Sequence, residues 1–302
     1  MLTWTIFIIA IISALAIDLG LHNKSILSLS KAVMWSLFWI LLAFGFNAWI
    51  YYERGQEPAL NFLAGYLVEK SLSVDNLFVF LVIFKTFQIP QHLRHKVLFW
   101  GVIGAFFLRG IFILGGVALV NQFDFLLFIF GIFLIYTGIK LAFQKEEEIH
   151  PEKNPLIVWF QKWMPMDCSL ETEQFFIKKN SIWHATPLFI ALLAVNIIDV
   201  IFAVDSIPAI LGITTDPMIV LTSNLFAILG LRSLYFVLEK TLDLFQYLHY
   251  GLAAILVFIG IKMLLANYYH ISIFASLGFI ALTLIISIMA SLIIEYSHKF
   301  KR

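Results

Sequence analysis

The sequence predicts an all-α polytopic membrane protein, and three observations support that class: the composition, nine apolar segments and an internal repeat. Apolar residues make up 61% of the 302 positions and charged residues 13%, whereas soluble domains have about 45–50% and about 25%. A soluble chain of this length would expose much of its apolar surface to water, so the composition requires lipid as the solvent. We therefore expect the lipid bilayer as a partner and no nucleic acid.

The apolar segments predict nine transmembrane helices within a single transmembrane domain, 1–302. A bilayer core about 30 Å thick needs about 20 apolar residues at a rise of about 1.5 Å each. The first segment has no basic residue before it and no small-residue cleavage site after it, so we expect a retained helix and not a signal peptide. The predicted helices 1 to 9 are 2–20, 31–51, 59–84, 97–120, 123–144, 186–211, 217–238, 243–267 and 271–294.

Basic residues between the helices predict the orientation, because cytoplasmic loops are enriched in Lys and Arg. Alternate connections carry nearly all of them, and the intervening loops hold only Arg54. This bias places the C-terminus in the cytoplasm of a bacterial inner membrane and, with nine helices, the N-terminus outside. It also makes 145–185 a cytoplasmic loop, in which 156–164 is amphipathic and is expected to lie on the membrane surface.

An internal repeat relates predicted helices 3–5 (59–144) to predicted helices 6–8 (186–267). The matched residues are Asp75-Asn76, Leu108-Arg109-Gly110 and Gly138-Ile139-Lys140 in the first unit, and Asp205-Ser206, Leu231-Arg232-Ser233 and Gly260-Ile261-Lys262 in the second. Three helices per unit make the second unit enter the membrane from the opposite side. Such inverted repeats are typical of secondary transporters, whose sites lie near the membrane midplane.

Four carboxylates lie near the middle of predicted helices: Glu69 and Asp75 in helix 3, and Asp199 and Asp205 in helix 6. Charge inside a bilayer is costly and usually marks a functional site. Two arginines, Arg109 and Arg232, could balance two of the carboxylates, which leaves two negative charges for a divalent cation or two protons. Purely structural ion pairing with these arginines is the alternative interpretation.

The side chains near these carboxylates predict a hard cation, because Asp, Glu, Asn and Ser supply oxygen ligands. The single cysteine, Cys168, excludes a Cys-based metal cluster and a disulfide framework. Glu69 and Asn76 share a helix face, as do Asp199 and Ser206. Residues six apart point about 120° away from each other, so Asp75 and Asp205 need either local unwinding, for which Pro208 is a candidate breaker, or a site that spans two helix faces.

These segments resemble the TerC family of integral membrane proteins, and in particular its Alx-type manganese exporters. The resemblance rests on Gly65–Phe80, with Glu69, Asp75 and Asn76, and on Asp199–Ala209, with Asp199 and Asp205; it extends over most of the chain. It implies Mn²⁺ efflux, with those five residues as metal ligands. One departure is Asn196, where the family usually has Glu; Asn keeps an oxygen ligand and removes a charge.

We therefore expect a divalent-metal efflux transporter with Mn²⁺ as substrate, without a cofactor and without enzymatic activity. The metal-site candidates are Glu69, Asp75, Asn76, Asn196, Asp199 and Asp205, with Arg109 and Arg232 balancing charge. Proton antiport and passage down the electrochemical gradient are the two driving forces that fit, since no P-loop is present; outward movement of a cation against the membrane potential favours coupling to protons. The alternatives are a metal-dependent intramembrane enzyme and a non-transporting scaffold linked to metal or tellurite stress.

Overall fold

The structure is a computed structural model of the chain. It describes residue 13 and residues 28–123, 125–143, 173–179, 182–241, 248–266, 268–269 and 271–300. Predicted helix 1, apart from Ser13, and the amphipathic segment 156–164 lie outside the described residues, as does most of the predicted cytoplasmic loop. Asp75 lies in a helix, but its side chain also lies outside the described part.

Long helices make up most of the described chain, as the apolar segments predict. The elements are α1 (Leu29–Arg54), α2 (Gln56–Thr86), α3 (Gln91–Gln122), α4 (Phe125–Phe143), β1 (Phe176–Lys179), β2 (Ile182–Ala185), α5 (Pro187–Leu211), α6 (Pro217–Ile228), α7 (Leu231–Lys240), α8 (Leu248–Leu265) and α9 (Ile273–Phe300). Within the described residues, six helices are long and apolar enough to cross a membrane, or seven if α6 and α7 together count as one bent span. This confirms a helical, multi-pass membrane protein.

The prediction of one continuous helix over 217–238 is wrong, because α6 and α7 meet at a bend of 44°. Gly230 lies between them with φ +75°, a left-handed conformation that side chains disfavour. A Cβ at this position would lie 2.5 Å from Trp39 Cδ1 of α1. The break therefore depends on a glycine that has both an unusual backbone conformation and a close neighbour.

Pro208 does not interrupt α5, which continues to Leu211. The N–H of Gly212 donates to the Pro208 carbonyl at 2.9 Å, so the proline lies in the last turn of an intact helix. Of the two arrangements that the sequence allowed for Asp205, local unwinding is thus excluded in this structure. Asp199 and Asp205 lie on different faces of one helix.

The helices pack crosswise: α2 packs on α6, α3 on α5, and α4 on α8. The α4–α8 contact is close enough to bring backbone against backbone. A Cβ at Gly138 would lie 2.8 Å from the Ala253 carbonyl oxygen, and a Cβ at Gly260 would lie 2.6 Å from the Gly131 carbonyl oxygen. The glycines of the two Gly-Ile-Lys sequences therefore allow the helices to approach, as small residues do in membrane helix pairs.

The predicted loop 145–185 is not free of secondary structure, since β1 and β2 form an antiparallel hairpin at its end. The Phe176 ring lies 4.4 Å from the Phe189 ring of α5, centroid to centroid. The Thr186 hydroxyl donates to the Gln174 carbonyl at 2.9 Å. Lys96 of α3 donates to the Glu173 carbonyl, so the base of the hairpin is fixed to the ends of two long helices.

Candidate metal site

Arg109 is buried in α3 and holds carboxylates from two other helices. Its Nη2 lies 2.7 Å from Asp199 Oδ1 and its Nε lies 3.0 Å from Asp199 Oδ2, a two-point contact with α5. Its Nη1 forms an ion pair with Glu69 of α2. Glu69 is 0% exposed, Arg109 1% and Asp199 5%, so all three charges are removed from solvent.

The three charged residues come from the middle of their helices. Glu69 is the fourteenth of the 31 residues of α2, and Asp199 is the thirteenth of the 25 residues of α5. Both carboxylates therefore lie far from the ends of their helices, and their location near the membrane midplane stays a prediction. The crosswise packing of α2, α3 and α5 brings them together on one guanidinium.

Two amide side chains complete the contacts of Arg109. Asn224 of α6 donates to Glu69 Oε2 at 3.1 Å, and its Oδ1 lies 3.4 Å from Arg109 Nη1. Asn76 of α2, with its amide oriented to satisfy both ends, donates to the Leu72 carbonyl at 2.9 Å and accepts from Arg109 Nη2 at 3.2 Å. We call Arg109, Glu69, Asp199, Asn76 and Asn224 the Arg109 cluster.

The Arg109 cluster carries one negative charge in excess when both carboxylates are ionised, because two carboxylates share one guanidinium. Buried charge is stable only when it is paired and hydrogen-bonded. The cluster is therefore a place where a further positive charge would be stabilised.

A cavity of about 160 Å³ lies beside the cluster and is partly open to the surface. Its polar lining comes from α2, α4 and α5: Asn76, Thr137, Lys140, Asp205 and Ser206. Asp205 is half-buried and accepts a hydrogen bond from the Thr137 hydroxyl at 3.4 Å. Asn76 belongs to both the cavity and the Arg109 cluster, so it connects the accessible carboxylate with the buried pair.

The structure brings some of the predicted site residues together and separates others. Glu69, Asn76 and Asp199 meet at Arg109, and Asp205 lies in the adjoining cavity with Ser206. The predicted sharing of a face by Glu69 and Asn76 agrees with this arrangement. Within the described residues, no group of three or more His, Cys, Asp or Glu side chains could hold a metal, so the metal-ligand assignment stays a prediction.

Asn196 and Arg232 lie outside the Arg109 cluster. Asn196 donates to the Leu192 carbonyl of its own helix at 2.9 Å, and its Oδ1 lies so close to Gly104 of α3 that a Cβ there would overlap it. Arg232 is buried in the first turn of α7, within electrostatic range of His95. Of the two arginines predicted to balance charge, Arg109 is the one in the cluster.

Sequence reasoning missed Asn224, Thr137 and Lys140 as members of the site. Asn224 is the last of three consecutive polar residues, Thr222–Asn224, inside an apolar segment. Such a polar run is a signal for a buried network. Lys140 was noted only as part of the repeat, although an ionisable residue in a membrane helix is itself a candidate for a site.

Two further ion pairs lie at opposite ends of α2. Arg54, just before α2, pairs with Asp216 at 2.7 Å, and Asp216 caps α6 by accepting from the Met218 N–H at 2.9 Å. Arg94, in the first turn of α3, pairs with Glu239 in the last turn of α7. Both pairs join the α6–α7 segment to the first half of the chain.

The chain is similar to known membrane proteins along nearly all of its length. The sequence profile of the integral membrane protein TerC family matches residues 54–299. A protein of Escherichia coli K12, provisionally named membrane-bound redox modulator Alx, is 46% identical over 312 residues, which cover 100% of this chain and 97% of that protein. An uncharacterized membrane protein of Myxococcus xanthus, STKORF319, is 47% identical over 292 residues, which cover 96% of this chain and 92% of that protein. No solved structure matches the chain.

Proposed function

We propose that this chain, which belongs to the TerC family of integral membrane proteins, exports a divalent cation, Mn²⁺, through the Arg109 cluster. The observation that carries the proposal is the sharing of one arginine by two buried carboxylates, Glu69 and Asp199. A charged site of this kind at mid-membrane depth is costly and persists where it serves transport. The excess negative charge matches a cationic substrate.

The ligand atoms support a hard divalent cation. Glu69, Asp199 and Asp205 offer carboxylate oxygens, and Asn76 and Ser206 offer an amide and a hydroxyl oxygen. Oxygen ligands of this type suit Mn²⁺, Mg²⁺ and Ca²⁺ more than zinc or copper. The choice of Mn²⁺ among these ions follows from the resemblance to manganese exporters.

The ion enters through the cavity at Asp205 in this proposal and passes Asn76 to the buried carboxylates. At that point Glu69 and Asp199 exchange Arg109 for the ion. The carboxylates and Arg109 together carry a net charge of −1 before the ion enters and +1 when a divalent ion has joined them, so neither state leaves more than one unbalanced charge in the membrane. The guanidinium thus acts as an internal cation that occupies the site between transport events.

An inverted repeat, with nine transmembrane helices in all, is the architecture we propose for this transport. The close contacts of α4 and α8 support it. Equivalent positions in the two units are 122 residues apart, so Gly138 corresponds to Gly260 and Gly131 to Ala253. The contact of Gly138 with Ala253 is therefore equivalent to the contact of Gly260 with Gly131. Ile135 corresponds to Val257 in the same way. A Cβ on Gly138 would lie 3.1 Å from the Val257 backbone nitrogen, and a Cβ on Gly260 would lie 3.1 Å from the Ile135 backbone nitrogen.

The crosswise packing supports the same architecture. α2 contacts α6 and α5 contacts α3, which is the exchange expected when the first helix of each unit packs on the second helix of the other. Transporters with inverted repeats place their substrate site between the two units. Glu69 and Asp199, one from each unit, lie at that position.

We further propose that the protein lies in a bacterial inner membrane with its N-terminus outside and its C-terminus in the cytoplasm, and that it acts without a cofactor or enzymatic chemistry. The distribution of Lys and Arg between the loops supports this orientation. In that orientation Arg94 and Glu239 lie at the cytoplasmic end, and Arg54 and Asp216 lie at the outer end.

The experiment is Mn²⁺ flux into proteoliposomes that contain a metal-sensitive dye, with and without a pH gradient. We expect flux by the wild-type protein and its loss in Glu69→Gln and Asp199→Asn. Asp216→Asn is the matched control, because it neutralises a carboxylate outside the Arg109 cluster. The absence of Mn²⁺ flux in the wild-type protein under both conditions, or normal flux in both site variants, would contradict the proposal. Ca²⁺ and Mg²⁺ in the same assay test the ion preference.

A further inference from the structure

Lys70 follows the carboxylate Glu69 directly in α2 and contacts the end of α6. Its ammonium donates to the carbonyls of Ala227 and Leu229, each at 3.1 Å. These carbonyls lie at the break between α6 and α7. The last carbonyls of a helix lack partners within the helix, so a lysine that donates to them stabilises the broken end.

The same end of α6 is held by the residue before Lys70. Glu69 Oε2 accepts from Asn224, which lies four residues before the last residue of α6, at 3.1 Å. Two consecutive residues of α2 therefore hold α6, one through a side chain in the Arg109 cluster and the other through carbonyls at the break. Since both belong to one rigid helix, a movement of α2 that repositions Glu69 also moves the Lys70 ammonium.

Beyond the break, α7 extends from Gly230 to the ion pair of Glu239 with Arg94. Tyr235 of α7 packs on Phe84 of α2, with ring centroids 5.5 Å apart. A ten-residue helix of about 15 Å thus lies between a glycine at which it can turn and an ion pair at its far end. A turn at Gly230 would change the distance between Glu239 and Arg94.

We propose that Lys70 is a positioning residue that couples ion occupancy of Glu69 to the α6–α7 break, so that α7 moves when the ion binds. This inference rests on the proposed function, since it concerns the same site. When the ion replaces Arg109 at Glu69, α2 and the α6 carbonyls move together through Lys70, and α7 turns at Gly230. Lys70 contributes to the transport step and not to the affinity for the ion.

The test compares Lys70→Gln with Lys70→Arg, which keeps a positive charge and several donors. The matched control is Lys85→Gln, an exposed lysine in the last turn of the same helix. Three quantities are measured for each protein: the Kd for Mn²⁺ in detergent, the maximal Mn²⁺ flux in proteoliposomes, and hydrogen exchange of the α7 amides with and without Mn²⁺.

We expect Lys70→Gln to lower maximal flux by about tenfold while the Kd stays within about twofold, which is the pattern of a residue that acts on a step after binding. Its α7 amides should exchange faster than those of the wild type and should no longer respond to Mn²⁺. Lys70→Arg should restore most of the flux, and Lys85→Gln should behave as the wild type.

The proposed function and the role of Lys70 fail in different ways. A wild-type protein that neither binds nor carries Mn²⁺ overturns the function. A wild-type protein that does both, but whose α7 exchange is unchanged by Mn²⁺, overturns the coupling even if Lys70→Gln does not fold. Normal flux in Lys70→Gln, or a loss of Mn²⁺ binding that accounts for its loss of flux, also overturns the role of Lys70.

Discussion

Helix α5 contributes one carboxylate to the Arg109 cluster and another to the cavity at Asp205, and the two have different surroundings. Asp199 of α5 is held at two points by a buried arginine, whereas Asp205, six residues later, has a 3.4 Å hydrogen bond from Thr137 in a cavity that opens to the surface. Six residues turn a side chain by about 120° on a helix. One helix therefore presents a carboxylate paired with a buried arginine and another that faces an open cavity; in the proposed function, the ion passes from the second carboxylate to the first.

The largest expected effect comes from removing the arginine of the cluster. Arg109→Gln leaves Glu69 and Asp199 buried without a counter-charge, which should cost about 3–5 kcal/mol. We expect little folded protein in the membrane, and thermal unfolding in detergent of what remains at a much lower temperature. Adding Glu69→Gln and Asp199→Asn to this variant should recover much of the stability, because a neutral network replaces the unpaired charges. If Arg109→Gln unfolds at the wild-type temperature, the cluster is not the buried ion-pair network described above.

The second prediction separates the two carboxylates of α5. Asp205→Asn keeps an acceptor for the Thr137 hydroxyl and removes only the charge of a half-buried residue, so its effect on stability should stay below about 1 kcal/mol. The apparent KM for Mn²⁺ should rise, since the ion loses its first carboxylate. Asp199→Asn should lose both stability and flux. Melting curves and flux measurements on the two variants test this difference, and equal losses of stability would contradict it.

A third prediction concerns the packing of α4 on α8 and its effect on the cavity at Asp205. Gly138→Ala places a Cβ 2.8 Å from the Ala253 carbonyl oxygen, and overpacking of this kind costs about 1–3 kcal/mol. The displacement of α4 should move Thr137 away from Asp205 and raise the KM for Mn²⁺, while the Arg109 cluster stays intact. Gly115→Ala in α3, where a Cβ meets nothing within 4 Å, is the matched control. Equal melting temperatures and equal KM values for these two variants would contradict the close contact.

The smallest effect should come from the ion pair of Arg54 with Asp216, which is the exposed counterpart of the buried one. The side chains of Arg54 and Asp216 are 33% and 28% exposed. Arg54→Gln should therefore lower stability by about 0–1 kcal/mol. The difference from the wild type should vanish in about 1 M salt, where the screening length is about 3 Å. A salt-independent loss of several degrees would indicate that the pair has a larger role at this end of the bundle.

The sequence predicted the buried charges better than it predicted their partners. Glu69, Asp199 and Arg109 stand out because charged residues are rare in apolar segments, and helical periodicity correctly placed Glu69 and Asn76 on one face. Periodicity does not say which helix packs against that face, so the sharing of Arg109 by α2 and α5 could not be predicted.

The break at Gly230 is a second feature that depends on packing and that the sequence does not predict. Glycine occurs at 16 positions of the chain, and nothing in the local sequence marks this one as a break. Its role depends on Trp39, which lies far away in the sequence and meets it only through the packing of α1 on α7. Pro208, the stronger local breaker, instead lies in the last turn of a helix that stays intact, although it cannot donate to the Val204 carbonyl.

The contact between α4 and α8 also bears on the origin of the fold. In the proposed inverted repeat, Gly138 meets Ala253 as Gly260 meets Gly131, so this contact would be isologous: the same surface patch would face its own equivalent across a two-fold axis. A single three-helix unit inserted into the membrane in both orientations would bury this patch against its own copy. Such an antiparallel dimer needs only gene duplication, fusion and a connecting segment to become one chain. After such a fusion, each half could vary without altering the other.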